Sequence, residues 1–161
     1  MKTARTLKLE ELLEKKFNDR NEFYVFECTL GWYGSEIVDC VMYNCQREVY
    51  CYEIKQSKQD FHSNCKLSFF GNKNYFVMPY ELYKEVSNEI YVNYPNVGVL
   101  VPIKTPSPGE QEYVYDVYDQ LLCIKNARKQ DLMADKEVIL SSMLRSMQRD
   151  KYRKFRGDKC Y

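Results

Sequence analysis

Leu7, Leu9, Leu12, Leu13 and Phe17 recur at helical spacing among lysines and glutamates, which predicts an amphipathic helix over residues 6–18. Asn18, Asp19, Arg20 and Asn21 break it. Residues 22–30 are aromatic and β-branched, the pattern of a strand. Residues 36–43 and 48–55 repeat that pattern on either side of a turn at 44–47, so a three-strand meander is expected, with Gly31, Trp32, Tyr33, Gly34 and Ser35 as its first connection. At residue 58 the period changes. Phe61, Cys65 and Phe69 stand at i, i+4 and i+8, one apolar face of a helix over 58–70; Lys58, His62 and Lys66 form a basic face beside it, and Gly71 supplies the C-cap. Tyr75 to Met78 reads as a short buried strand. Pro79 opens a helix to about Asn88, and Val97 to Val101 is a further strand stopped by Pro102. Residues 105–109, with two prolines and a glycine, are the clearest loop. Residues 112–124 fit a strand or a helix equally. Residues 135–151 form a long helix carrying Val138, Ile139, Leu140, Met143, Leu144 and Met147.

This order of elements predicts an α/β fold: a mixed central sheet flanked by helices, with an extra C-terminal helix. At 161 residues the chain suits one domain, with a core over about 6–105 and a hairpin and helix extension over about 106–161. The formal net charge of +1 excludes a polycation, so any nucleic-acid contact must come from local clustering. No apolar run approaches the length of a membrane span, and Met1, Lys2, Thr3 and Ala4 lead straight into a charged amphipathic segment; a cytoplasmic protein with no membrane partner is expected. Seven cysteines, none at C-x-x-C spacing, with His62 the single histidine, favour free thiols over a closed zinc site.

The candidate chemistry lies at the ends of two strands. Asp39 is on the second, Glu53 and Lys55 on the third. Alternation along a strand puts Glu53 and Lys55 on one face, and an antiparallel turn at 44–47 brings Asp39 toward the Glu53 end. Two carboxylates with the main-chain carbonyl of Ile54 between them make a hard oxygen site suited to Mg²⁺ or Mn²⁺, and Lys55 beside it can stabilise charge that develops on a phosphodiester. The same spacing also fits a plain exposed cross-strand ion pair between Asp39 and Lys55.

Glu36, Ile37, Val38 and Asp39, then Glu53, Ile54, Lys55, Gln56, Ser57, Lys58, Gln59, Asp60 and Phe61, with Lys66 downstream, resemble the PD-(D/E)XK nuclease superfamily, and within it the MmcB-like group of DNA-repair nucleases. The strand ending at Pro79 and the glycine-containing strand from Val97 to Pro102 extend the resemblance over residues 34–105, with a weaker echo at Lys125, Asn126 and Ala127 and in the last helix. The resemblance implies a restriction-endonuclease-like αβββαβ core and metal-dependent hydrolysis of DNA in repair, recombination or phage DNA processing. Asp39 and Glu53 would be the metal ligands with the Ile54 carbonyl, Mg²⁺ or Mn²⁺ the cofactor, and Lys55 the catalytic lysine. Many such enzymes carry a further acid on the first helix, where Glu10, Glu11 and Glu14 are all available, and many act as homodimers. The alternative is a nuclease-like fold without activity that binds nucleic acid.

Other candidates have two readings each. Lys58, His62 and Lys66 suit DNA phosphates beside the site or a solvated helix face. His62 is a general base or simply solvated, and Asp60 caps a helix start sooner than it binds metal. Trp32 and Tyr33 stack on a base or pack at a strand end. The basic tail from Arg145 onward binds the DNA backbone or is a solvated terminus.

Overall fold

A computed structural model describes residues 3–31, 33–34, 36–63, 67–105, 114–115 and 119–155, without the side chains of Val114 and Lys154. The first helix, α1 (Ala4–Asn18), starts where the Thr3 hydroxyl oxygen accepts the Thr6 N–H at 3.1 Å. It buries Leu9, Leu12, Leu13 and Phe17. Strands β1 (Phe23–Thr29), β2 (Ile37–Tyr43) and β3 (Val49–Ile54) form the expected antiparallel meander. A short helix, α2 (Lys58–Phe61), precedes β4 (Lys73–Val77), which is parallel to β3. Helix α3 (Tyr80–Asn93) then leads to β5 (Gly98–Lys104), parallel to β4. Strands β6 (Val114–Tyr115) and β7 (Gln120–Lys125) are antiparallel to β5, and α4 (Lys136–Phe155) closes the chain. The result is a seven-stranded mixed sheet flanked by helices, with α1–β1–β2–β3–α2–β4 in succession and a C-terminal helix, the α/β architecture expected from the pattern.

Side-chain alternation assigns each helix to a face. Cys40, Met42, Tyr52, Ile54, Val77 and Leu100 pack against Leu9, Leu13 and Phe17 of α1. On the other face, Phe76, Val99, Val101 and Ile103 meet Leu82, Val86 and Ile90 of α3. Beside them Val25, Val41 and Cys51 meet Ile139 and Met143 of α4. Gly98 lets β5 approach Tyr75: a Cβ there would stand 2.5 Å from the Tyr75 ring and 2.6 Å from the Ala127 nitrogen.

Three sequence expectations are corrected. The helix expected over 58–70 ends at Phe61, because His62 leaves the α region, and residues 67–70 belong to neither helix nor strand. The period of Phe61 and Phe69 therefore reflects two separate contacts with Phe76, at 5.4 and 5.0 Å between ring centroids, and no shared helix face. Gly71 is no C-cap; it sits against β3, where a Cβ would meet the Val49 carbonyl oxygen at 2.9 Å. Pro102 does not stop β5, which runs to Lys104. Val99 and Leu100 pair with both β4 and β7, so those strands lie on opposite edges of β5, and the β4 pairing ends at Leu100. Pro102 thus falls where the demand for ladder hydrogen bonds is relaxed. The helix opened by Pro79 extends past residue 88 to Asn93, and the ambiguous stretch 112–124 resolves, where described, into the strands β6 and β7.

Cys28, Cys40 and Cys51 are buried free thiols, whereas Cys45 and Cys123 are exposed; Cys65 and Cys160 lie outside the described residues. No described helix is long and apolar enough to cross a membrane.

Candidate functional site

Main-chain pairing of β2 with β3 is regular from Tyr43 and Val49 to Cys40 and Tyr52. One residue further on, Asp39 stands opposite Glu53. Here the ladder is broken, and the Asp39 side chain takes the place of a main-chain acceptor: its Oδ2 accepts the Ile54 N–H at 2.7 Å. Directly opposite residues on one side of an antiparallel pair have neighbouring side chains, so the two acids share a site. The strand on the far side of β2 is distorted at the same level. Glu27, which the β1–β2 register would place against Asp39, has φ of 50° and is left out of the pairing. A non-glycine residue held in that region is strained by roughly 1–3 kcal/mol.

Glu53 is 5% exposed, and its Oε1 is buried with no hydrogen-bond partner. Burial is the first cause that pushes its carboxyl up to about 8, and the negative charge of Asp39 is the second. The Lys55 ammonium and the main-chain N–H of Ser68 act in the opposite direction. Ser68 is itself buried, and its hydroxyl donates to Glu36 Oε1 at 2.8 Å. The segment after α2 therefore closes over the acids.

Lys55 is also 5% exposed, so the exposed-ion-pair reading does not describe it. Its ion-pair partner is Asp60 Oδ1, 4.0 Å away, while Asp60 Oδ2 accepts the Gln56 N–H at 2.9 Å. Ser57 caps α2, its Oγ accepting the Asp60 N–H at 3.1 Å. Asp60 thus belongs to the cap of α2, as expected from its position, and also reaches the lysine. The Gln56 side chain is a further buried group: neither its Oε1 nor its Nε2 has a hydrogen-bond partner.

These residues fit a hard divalent cation in one specific respect. An orphaned carboxylate oxygen in a buried, doubly acidic site is what a cation would satisfy, and one or two carboxylates with several waters is the usual shell of Mg²⁺. Among the described residues no group of three or more His, Cys, Asp or Glu side chains could hold a metal. The groups that could contact a cation here are the Asp39 and Glu53 carboxylates and the Ile54 carbonyl, with no third acidic side chain grouped with them among the described residues. Of the acids on α1, Glu11 pairs with Lys8 at 2.8 Å and Glu14 accepts the Tyr24 hydroxyl at 2.7 Å. Glu10 lies toward β2, where its charge is felt by the Cys40 thiol next to Asp39.

Two residues of the expected basic face are described. Lys58 is exposed on the single turn of α2, His62 Nε2 contacts Glu89 Oε2 at 2.6 Å, and Lys66 lies outside the described residues. Tyr33 is fully exposed and Trp32 is outside the described residues. The first arginines of the basic tail serve the fold. Arg145 donates to the Gly31 carbonyl at 2.7 Å and Arg149 to the Glu27 carbonyl at 3.2 Å, so α4 covers main-chain acceptors of the edge strand β1 and of the residues that follow it. Lys125, in the segment with the weaker resemblance, is a structural cation: its Nζ donates to the Tyr94 and Pro95 carbonyls at 3.3 and 3.0 Å and to that of Val97, at the end of α3. Sequence reasoning missed Ser68 and Gln56 as parts of the site. Gln56 adjoins Lys55 in the chain, but nothing in the pattern placed Ser68 near Glu53.

No family model matches the chain, and no curated protein matches it. Among solved structures it is similar to the SPO1766 protein of unknown function from Silicibacter pomeroyi, with a TM-score of 0.68 and 16% sequence identity over 100% of this chain and 97% of that one. That likeness carries the fold over its full length.

Proposed function

We infer that this chain is a divalent-metal-dependent deoxyribonuclease that hydrolyses phosphodiester bonds, with Asp39, Glu53 and the Ile54 carbonyl as the metal-binding set and Lys55 as the catalytic cation. The observation that carries this reading is the buried Glu53 carboxyl beside Asp39, with its Oε1 lacking a hydrogen-bond partner and Lys55 nearby. A structural pair between Lys55 and Asp60 needs no further acids, and two buried acids side by side resist ionisation in a way that a bound cation would relieve.

Each residue has a task in that chemistry. Asp39 is oriented by the Ile54 N–H, so one oxygen is fixed and its carboxylate plane is set. Glu53 supplies the second carboxylate from the adjacent strand. Lys55, held near Asp60, presents an ammonium to the negative charge that builds up on the phosphorane. Mg²⁺ or Mn²⁺ bound there would supply Lewis-acid polarisation of a phosphoryl oxygen and a more acidic water. Exposed Lys58 adjoins the site for contact with a flanking phosphate. Repair, recombination or phage DNA processing, cytoplasmic location and action as a homodimer follow from the resemblance and are part of the proposal.

The test is incubation with duplex, single-stranded and branched DNA in Mg²⁺, Mn²⁺ or chelator. Metal-dependent cleavage that disappears in Asp39→Asn and Lys55→Met is the expected result. Cleavage that survives both variants overturns the assignment. Binding of DNA without cleavage in either metal identifies the chain as a nucleic-acid-binding module on a nuclease-like fold.

A further inference from the structure

On the opposite face of the sheet from Glu53, a cavity of about 220 Å³ opens between the end of α1 and the first residues of β3. Its walls include Tyr50, Tyr52 and Tyr75, and Lys16, Arg20 and Glu22 also line it. Tyr50 and Tyr52 alternate with Glu53 along β3 and pack with the α1 cluster, so this cavity is separate from the carboxylate site.

Two cations, Lys16 and Arg20, share the cavity with one carboxylate, Glu22, whose charge acts on both without forming an ion pair among the described residues. Lys16 is on the last turn of α1 and Arg20 is in the turn just past its C-cap Asp19, and neither forms an ion pair among the described residues. The Lys16 amine is held below its ordinary range, first by burial and then by the Arg20 charge, with Cys123 and Glu22 opposing. A third cation, Lys73, lies over the Tyr50 ring, 5.5 Å from its centroid. The local charge is therefore positive although the chain is near neutral.

The rest of the lining is chemically distinct. Tyr52 and Tyr75 stack at 5.5 Å, with 14° between their planes, and make a rigid aromatic wall. Gln46 and Asn126, both exposed on the rim, each offer an amide donor and an acceptor. The volume is below the roughly 300–1,000 Å³ of sites for drug-sized ligands, which favours a one-ring base over a two-ring one, with the rest of the ligand toward the rim.

We propose that this cavity binds a pyrimidine nucleoside monophosphate, or that group at the end of a strand, with the phosphate on Lys16 and Arg20 and the ring against the tyrosines. Cations in pairs suit a phosphate dianion, aromatic walls suit a planar ring, and carboxamides suit the amide-like edge of a base. The site stands independently of the nuclease reading, since neither Asp39 nor Glu53 takes part.

The test is titration of the whole chain with dCMP, and with cytidine and inorganic phosphate as its two halves, followed by calorimetry and amide NMR. Saturable binding of dCMP is expected, tighter than either half, with shifts centred on Lys16, Arg20 and Tyr75. Lys16→Gln and Arg20→Gln should each weaken it by about tenfold, one lost charge-assisted contact, with unchanged melting. Absence of dCMP binding at about 1 mM overturns the proposal. So does phosphate alone binding as tightly as dCMP, or binding that both variants leave intact. None of these readouts depends on DNA cleavage or on a divalent metal, so a failure here and a failure of the nuclease reading are told apart.

Discussion

Asp39 and Ile54 are joined across the β2–β3 pair by the hydrogen bond from the Ile54 N–H to Asp39 Oδ2, 2.7 Å long, at the level where main-chain pairing stops. The Asp39 side chain therefore has a structural and a chemical role. Asp39→Asn keeps an acceptor for the N–H, and Asp39→Ala removes it. Leaving a buried N–H unmatched is unfavourable by roughly 1–3 kcal/mol. Asp39→Asn is expected to abolish metal-dependent cleavage with a small change in denaturation midpoint, whereas Asp39→Ala should lose both activity and stability. Chemical denaturation of the two variants checks this, and equal stability would show that the bond contributes nothing.

Glu53 sets the pH dependence of the metal-free protein. Its folded-state pKa of about 8 lies above the ordinary carboxylate value of 4.5. Between those values the folded chain holds a proton that the unfolded chain has released, so stability falls as pH rises. The contribution is complete below about pH 4.5 and gone by about pH 8, of order a few kcal/mol. Glu53→Gln should flatten that slope. Mg²⁺ or Mn²⁺ should raise the melting temperature of the parent protein more at pH 8 than at pH 5.5. Thermal melts across pH with and without metal measure both, and a parent slope unchanged in Glu53→Gln would refute the assignment.

Lys55 and Asp60 form a pair in which the lysine is buried and the aspartate partly exposed. Lys55→Met should lower the cleavage rate by a factor of about 10² or more, the scale for removing one charge-stabilising group, while DNA affinity changes little. Asp60→Asn retains an acceptor for the Gln56 N–H, so its effect should be smaller than that of Asp60→Ala. Single-turnover rates beside DNA-binding curves separate the two roles.

Arg145 and Lys58 divide the basic residues into structural and ligand-facing groups. Arg145→Gln should lower the melting temperature, because it releases the Gly31 carbonyl, and leave the salt dependence of DNA binding unchanged. Lys58→Gln should leave melting unchanged and reduce the salt slope by about 1 if it meets one phosphate. Affinity measured over a series of salt concentrations decides this.

Lys125→Met removes an ammonium shared by three carbonyls at the end of α3. A loss of about 1–3 kcal/mol of stability with normal cleavage is expected. A selective loss of activity in a stably folded variant would instead place Lys125 in the site.

The linear pattern determined what local period and chain direction can determine. Leu9, Leu13 and Phe17 could only form an apolar helix face, and the β1–β2–β3 meander followed from three alternating runs and a short turn. It also brought Asp39 and Glu53 together, because an antiparallel turn between neighbouring strands leaves little choice of register. The tertiary structure decided everything that depends on long-range contact. Residues 58–70 have helical spacing, yet the helix stops at Phe61 and residues 67–70 are not helical, because Phe69 packs on Phe76 and Ser68 reaches Glu36 and Glu53. The same holds for Pro102, whose place in a strand depends on where β4 stops pairing, and for Lys55, whose partner is Asp60. Local propensity is worth tenths of a kcal/mol per residue, and burial of a single large apolar side chain about 1.5–3 kcal/mol, so packing overrides pattern wherever they conflict.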